Sequence, residues 1–545
     1  MSLRTATRSP PKDLPISKAA TTEPVEASPH KTAWRTVRVR AVSPQRPGGV
    51  SQYRHLLLLA ATLAAAALLR FHLLAHKSFW FDEGISVEIA RLDWLNFLHL
   101  LWQREMNMAL YYLLLKFWLK FGISEFFVRS LSVLFGLAAI PVVYALGARL
   151  FRPRAGLLAA LLLAVNAFHV RYSQEARAYT LLVFLSALCS WLFVRAIEEP
   201  RTRNWWLYTA ASVLLVYAHF YGLLVVVAHG LSMAALPRQH RDGAGWFQSF
   251  RFFAYGVSPV AIFIWRAGAQ PMNWLPRPNA AIVGHFFRSL AGNGGYPLLA
   301  LYALAWILAV WARWRAKAVR PFGMGGWRYS FLIIWLTFPI VAVLVTSQFR
   351  SIFLARYLIL CLPASVLLAA AGIARLRYRV LRFGMLLVMG ALSVNGVFAY
   401  YQRDFDVGRD DWRTASRYVL AHAEPGDGVF FYTAPGRMTF EYYRSLAGKS
   451  IQDPEVLHPS SGERMSYRDF LVTPLAEVFQ NPPPPRKRVW LFLNEHRASG
   501  HMDMASEVLC AWHARRYKLL SQHSVDGIDL LLYGQDADPH SHQGN

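Results

Sequence analysis

The chain reads as a mainly α, polytopic membrane helical bundle of about eleven spans, followed by a small C-terminal α/β domain on the extracytoplasmic side. Three observations lead there. Of its 545 residues, 55% are hydrophobic and only 17% are charged. Apolar stretches near 20 residues recur along most of the length, long enough to cross a hydrocarbon core about 30 Å thick. From about residue 404 they give way to alternating helix and strand signals, the pattern of a small α/β unit. Ordinary globular packing has no need of so many spanning-length runs.

Residues 1–54 are rich in Pro, Ser, Thr and Arg and carry ten Lys/Arg against three acids. This composition predicts a disordered basic tail held in the cytoplasm against anionic lipid. The first apolar run lies too far from the N-terminus for a cleaved signal peptide and reads as a signal anchor. Spans are expected near 55–75, 127–149, 155–171, 178–197, 205–218, 221–236, 252–268, 297–314, 329–347, 356–374 and 383–401. The connections FRPR, RAIEEPRTR, PRQHRDGAGWFQSFR, RWRAKAVRPFGMGGWR and RLRYRVLR are basic, which places them and the N-terminus in the cytoplasm. The formal net charge of +26 therefore belongs to membrane topology, and no nucleic-acid partner is implied. The run ALYYLLLKFWLKFG (109–122) is short, and Lys116 and Lys120 interrupt it. It reads as an interfacial amphipathic helix, inside a first outer loop covering 76–126.

The transmembrane domain is thus 55–403. An extracytoplasmic domain follows over 404–535, then a disordered tail, 536–545. Within the C-terminal domain, helices are expected at DDWRTASRYVLAHAEPGDG, RMTFEYYRSL and MASEVLCAWHARRY. Strands are expected at VFFYTA, RVWLFLNEH and IDLLLYG, the last after an Asp-Gly turn. NPPPPRKR reads as a stiff linker. The three cysteines suggest no disulfide framework.

Polar residues collect in loops on one side of this topology. Asp82 and Glu83 follow the first span. Glu105 and Asn107 precede the interfacial helix. Arg171, Tyr172, Glu175 and Arg177 follow the third span, His219 the fifth, and Arg350 and Arg356 the ninth. Each has a plain alternative. Asp82 could cap a helix, Glu105 could be solvated, and Glu175 could pair with a neighbouring arginine. Arg171, Arg177 and Arg356 could snorkel to headgroups. His219 could be a hydrogen-bonded interface histidine.

Several stretches resemble the GT-C superfamily glycosyltransferases, of the bacterial family 39 type related to protein O-mannosyltransferases and lipid A aminoarabinose transferase. They are FWFDEGIS, NMALYYLLLKFW followed by GISEFFVRSLSVLFG, RYSQEARAY, YAHFYG and ARYLILCLP, and the resemblance covers roughly 55–400. One stretch departs: many relatives carry a proline pair before LYY, where this chain has Asn107-Met108-Ala109. The resemblance implies an inverting transferase in the bacterial inner membrane. It would move a hexose or pentose from a polyprenyl-phosphate-linked donor to an acceptor hydroxyl on the outer face. The acceptor, whether protein, lipid or glycan, stays open. Asp82 would be the base, and Glu83 would position the acceptor. Glu105, Asn107 and His219 would position acceptor or loop. Arg171, Tyr172, Glu175, Arg177 and Arg356 would bind the donor phosphate. The resemblance assigns no certain cofactor, and a divalent metal stays open, with Glu105 and His219 or His285 as candidate ligands. The alternatives are a secondary transporter or lipid flippase, which calls for mid-membrane charges and a repeat, and a scaffold presenting the C-terminal domain.

Overall fold

The computed structural model describes residues 49–267, 275–319, 324–402, 410–432, 434–448, 450, 452–459, 470, 479–494, 497–498 and 501–535. Residues 1–48 of the basic tail, and 536–545, lie outside the described residues. The first helix, α1 (Gly49–Phe71), leads through a short turn into α2 (Phe81–Arg91), which opens at the acidic pair. A short helix, α3 (Trp94–Leu100), and two irregular turns connect to α4 (Ala109–Trp118). With 10 residues, α4 is too short to span a membrane.

The bundle continues with α5 (Glu125–Leu150), α6 (Pro153–Ala164), α7 (Ala167–Ser173), α8 (Tyr179–Glu198), α9 (Thr202–Ala218) and α10 (Gly222–Met233). Then come α11 (Gly243–Ala267), α12 (Ala280–Ala291), α13 (Gly295–Val319), α14 (Met324–Phe349), α15 (Leu362–Ile373) and α16 (Arg379–Gln402). All eleven expected segments are helical, but they are not all of spanning length. Among the described residues eight helices are long and apolar enough, or nine if α6 and α7, bent by 62°, form one span. The expected spans at 205–218 and 221–236 form helices of only 17 and 12 residues. The reason is local. His219 is extended and ends α9, and the chain reverses within three residues to start α10 at Gly222. A Cβ on Gly222 would meet the Leu215 carbonyl oxygen at 2.6 Å, so the reversal needs glycine.

The bend between α6 and α7 breaks a helix inside the bundle and frees backbone groups that need partners. Arg70, fully buried on α1, supplies them. It donates to the carbonyls of Ala164 (3.0 Å) and Leu163 (3.4 Å), and reaches His169 Nδ1 at 2.8 Å. Asn166 caps α7 by accepting from the His169 amide. Small residues allow close helix approach: a Cβ on Gly156 of α6 would lie 2.3 Å from the Tyr144 carbonyl oxygen of α5, and one on Gly372 of α15 would lie 1.8 Å from the Ala305 carbonyl oxygen of α13. Outward-facing apolar side chains such as Trp265, Phe349 and Val380 stay exposed, as a lipid-facing surface requires.

The loops segregate between the two ends of the bundle. At one end Arg149 pairs with Glu198 and Glu199, both at 2.6 Å, and Arg328 pairs with Glu198. At the other end the segments after α1, α7, α9 and α14 come together.

At that second end sits the C-terminal region. It comprises α17 (Trp412–His422), β1 (Gly428–Phe431), α18 (Ala434–Ala447), β2 (Glu455–His458), β3 (Arg488–Asn494), a minor ribbon of β4 (Arg497–Ala498) and β5 (His501–Met502), α19 (Met504–Ala514), β6 (Lys518–Val525) and β7 (Ile528–Gly534). The main sheet has the order β2-β1-β3-β7-β6. β1 runs parallel to both β2 and β3, whereas β7 is antiparallel to both β3 and β6. Every element expected from the sequence is present, and β2, β6 and the β4–β5 ribbon are additional. The Asp526-Gly527 turn joins β6 to β7, with Gly527 at φ +78°, the left-handed conformation such hairpins use.

Candidate active site

Asp82 and Glu83 occupy the first turn of α2. Acids are favoured there by the helix dipole, but Asp82 does not cap the helix. Trp80 holds the cap position, with no side-chain bond to the helix.

The two carboxylates go separate ways. Glu83 is fully buried, and Arg129 of α5 grips it with a two-point fork: Nε to Oε1 at 2.8 Å and Nη2 to Oε2 at 2.7 Å. The Ala176 amide donates to Oε1 as well, at 2.8 Å. Arg129 also donates to the carbonyls of Leu74, Lys77 and Ser78. Glu83 therefore ties α2, α5 and the 174–178 turn together. The expectation that it positions an acceptor meets a carboxylate already held by the protein, with no exposed face.

Asp82 points the other way. Its Oδ2 lies 3.7 Å from Arg177 Nη2 and 3.7 Å from Arg356 Nη2. Both separations exceed hydrogen-bond length, so the charges are paired while the nitrogens stay able to turn to another acceptor. The sequence-predicted Arg177 and Arg356 thus converge, although 179 positions separate them in the chain. Arg177 is the more enclosed. Its Nη1 donates to the Asp82 carbonyl (3.2 Å), Ser86 Oγ (3.1 Å) and Tyr112 hydroxyl (3.5 Å). Burial works against its charge, but Asp82 and the surrounding tyrosines outweigh burial and hold its pKa well above the ordinary arginine value. Arg356 lies over the Trp80 ring, 5.2 Å from its centroid, with Tyr179, Tyr357 and Tyr172 around it. Three buried donors here have no hydrogen-bond partner among the described residues: Arg177 Nε, Arg356 Nε and the Tyr179 hydroxyl.

The other expected residues form a surrounding layer. Glu105 accepts from the Tyr112 hydroxyl at 3.4 Å, and burial raises its pKa against the pull of Arg177 and Arg104. Asn107 Oδ1 accepts from the Phe220 amide, and its Nδ2 lies 3.5 Å from His219 Nε2. His219 is buried, and its Nδ1 accepts from the Tyr221 amide. Burial, then Arg177 and Arg356, push its pKa down to about 3. It is therefore neutral at physiological pH and serves as a hydrogen-bonding strut between the α9–α10 reversal and the loop before α4. Arg171 pairs with Glu175 at 3.4 Å, and Tyr172 packs edge-on against Tyr179. Tyr172 also lies near Arg356. No group of three or more His, Cys, Asp or Glu side chains able to hold a metal ion occurs among the described residues, so Glu105 and His219 do not assemble a metal site here.

Sequence reasoning passed over Arg129, Ser86, Tyr112, Tyr179 and Tyr357. Arg129 carried a usable signal, since a charge inside an apolar spanning run asks for a partner.

Residues 108–264 match the family model described as dolichyl-phosphate-mannose-protein mannosyltransferase. No curated protein matches the chain by sequence. The fold is similar to the crystal structure of ArnT from Cupriavidus metallidurans in the apo state, with a TM-score of 0.54 and 12% identity, covering 89% of this chain and 98% of that one. It is equally similar to the same protein bound to undecaprenyl phosphate, with a TM-score of 0.55, 12% identity, and coverage of 89% and 99%. The chain thus has the ArnT-like GT-C fold.

The Glu83–Arg129 pair yields a stability prediction. Removing one partner of a buried ion pair strands the other charge and typically costs about 3–5 kcal/mol. Glu83→Ala and Arg129→Ala should each lower the thermal unfolding temperature of the purified protein markedly. Arg129→Lys, which loses the fork, should recover only part of it. Unfolding temperatures equal to wild type in both alanine variants would remove the pair from this role.

Proposed function

We propose that the chain is an inverting glycosyltransferase that takes a sugar from a polyprenyl-phosphate carrier and places it on an acceptor hydroxyl at the outer face of the bacterial inner membrane. One observation carries the reading. Two arginines converge on a single carboxylate at one end of a membrane bundle, and three buried donors beside it lack partners. A cluster of unused donors fits a ligand rich in acceptors and negative charge, as a phosphate is.

Asp82 takes the proton from the acceptor hydroxyl as the new bond forms between that oxygen and the anomeric carbon. The bond from that carbon to the phosphate oxygen breaks, and its electron pair leaves with the carrier phosphate. Arg356, less enclosed and with an unused Nε, meets the developing charge. Arg177, bonded to the Asp82 carbonyl, Ser86 and Tyr112, orients Asp82 and shares in phosphate binding. The sugar-bearing lipid presents its phosphate at headgroup depth, which explains a site at the end of the bundle. A transporter reading finds less support, because the charged cluster lies at one end of the helices.

Asp82→Asn preserves size but removes basicity. Transfer from a panel of undecaprenyl-phosphate-linked hexoses and pentoses should fall by at least about 10²-fold, with undecaprenyl phosphate binding retained. Near-normal transfer by a folded Asn variant would remove Asp82 as base. Mass spectrometry of glycolipids and glycoproteins from a deletion strain would identify sugar and acceptor.

Arg356→Ala should lower turnover more than carrier affinity, because phosphate charge is greatest as the carrier leaves. Arg356→Lys should rescue only in part, since it keeps the charge and loses the fork. Equal activity of the Lys and wild-type forms would instead indicate an interfacial anchor.

Orientation has its own check. The basic connections motivate an N-in, C-out arrangement. A reporter fused after Tyr401 should be active only outside the cytoplasm, and cytoplasmic activity would reverse the assignment.

A further inference from the structure

The C-terminal region packs directly on the segment that carries the acidic pair. α18 lies along α2 so closely that a Cβ on Gly84 would fall 2.4 Å from Thr439 Oγ1 and 2.8 Å from Thr439 Cα. Phe79 is buried between the Tyr442 ring, stacked at 4.6 Å, and the Arg129 guanidinium, 4.8 Å from its centroid. The Tyr442 hydroxyl donates to the Ile123 carbonyl. The Tyr443 hydroxyl accepts from the Phe79 amide at 2.7 Å and donates to Glu125 Oε1 at 2.5 Å.

Arg413 of α17 completes the contact. Its guanidinium forks onto Glu125, with contacts of 3.2 and 2.5 Å, and donates to the carbonyls of Ala75, His76 and Lys77. Its amide donates to Ser78 Oγ. Two arginines therefore hold five successive carbonyls, 74 to 78. Arg129 takes Leu74, Lys77 and Ser78 from the bundle side, and Arg413 takes Ala75, His76 and Lys77 from the C-terminal side. This stretch has no regular structure of its own and runs straight into Asp82.

We propose that the C-terminal domain is a positioning module for the acidic segment, with Arg413 and Tyr443 as positioning residues that set the placement of 75–79 and hence the aim of Asp82. The consequence for turnover rests on the proposed transferase reading, whereas the structural coupling does not. Two arginines supply donors that this backbone lacks internally, so losing one frees part of the segment. Misplacing a reacting group by about 1 Å can cost on the order of 10²-fold in rate.

The test compares Arg413→Ala, Arg413→Lys and Tyr443→Phe in the full-length protein, with two readouts. The first is hydrogen exchange at the Glu83, Gly84 and Ala176 amides, none of which contacts the altered side chains. Exchange there should rise by about 10-fold or more in Arg413→Ala and less in Arg413→Lys, while β1 and β3 stay protected. If β1 and β3 lose protection in Arg413→Ala, Tyr443→Phe, which deletes a single hydroxyl, decides the matter. The second readout is steady-state kinetics. kcat should fall about 10- to 100-fold with undecaprenyl phosphate affinity close to wild type, whereas a purely structural role would lower the folded fraction and leave kcat per folded molecule unchanged. Wild-type exchange at all three amides in folded variants overturns the proposal. Wild-type protein without turnover on any donor overturns the transferase reading, and the exchange result stands apart from it.

Discussion

The buried pair of Glu83 and Arg129 is the constraint on which the site end of the molecule depends. Desolvating two charges is costly, and the cost is offset only when geometry is good and the remaining donors are used. Here the carboxylate accepts the two-point fork and the Ala176 amide, while Arg129 spends its other protons on backbone carbonyls. One interaction thus fixes three segments distant in the chain: the exit of α1, the first turn of α5's core and the turn after α7.

Asp82 inherits its placement from its neighbour. Successive residues on a helix are about 100° apart, so locking Glu83 inward turns Asp82 toward Arg177 and Arg356. Adjacent acids with the same chemistry come to differ entirely in surroundings, one enclosed by the protein and one facing two guanidiniums at 3.7 Å. The arginines divide similarly. Arg177 is knitted to Asp82, Ser86 and Tyr112, while Arg356 rests on Trp80.

Much of this was legible in the sequence, and the gaps have physical causes. Apolar runs revealed the helices, because burial and lipid contact both select for them. They did not reveal that α9 and α10 stop short, since the reversal depends on His219 backbone geometry and the close approach at Gly222. Loop polarity gathered Asp82, Arg177 and Arg356 on one end, which the fold confirms. It could not say which acid faces inward, because that turns on Arg129, a single charge inside the run FFVRSLSVLFG. In the sheet, β6 was missed because KLLSQHSV is largely exposed and lacks an apolar alternation, and β2 because EVLH is short and, unlike the apolar GVFF of β1, carries polar residues at both ends. The contacts of Arg413 and Tyr443 lie 288 or more residues away in sequence, beyond the reach of any local pattern.

The remaining question is why a membrane bundle should lean on an appended sheet region at all. Helix α2 has 11 residues, shorter than the length at which isolated helices become stable in water, about 12–15. Its stability must come from packing on its flanks. The bundle covers one side through α4 and Arg129, and a second side would face solvent if α18 were not there. Gly84 admits the α18 backbone to a distance no larger residue would allow, so the contact excludes water from the flank next to Asp82. α18 lies along the flank of α2 that carries Gly84, with Glu88 and Arg91 of α2 turned toward its Ser445 and Glu441. A helix this short holds Asp82 with little stiffness of its own, and the docked C-terminal region supplies packing along one of its flanks.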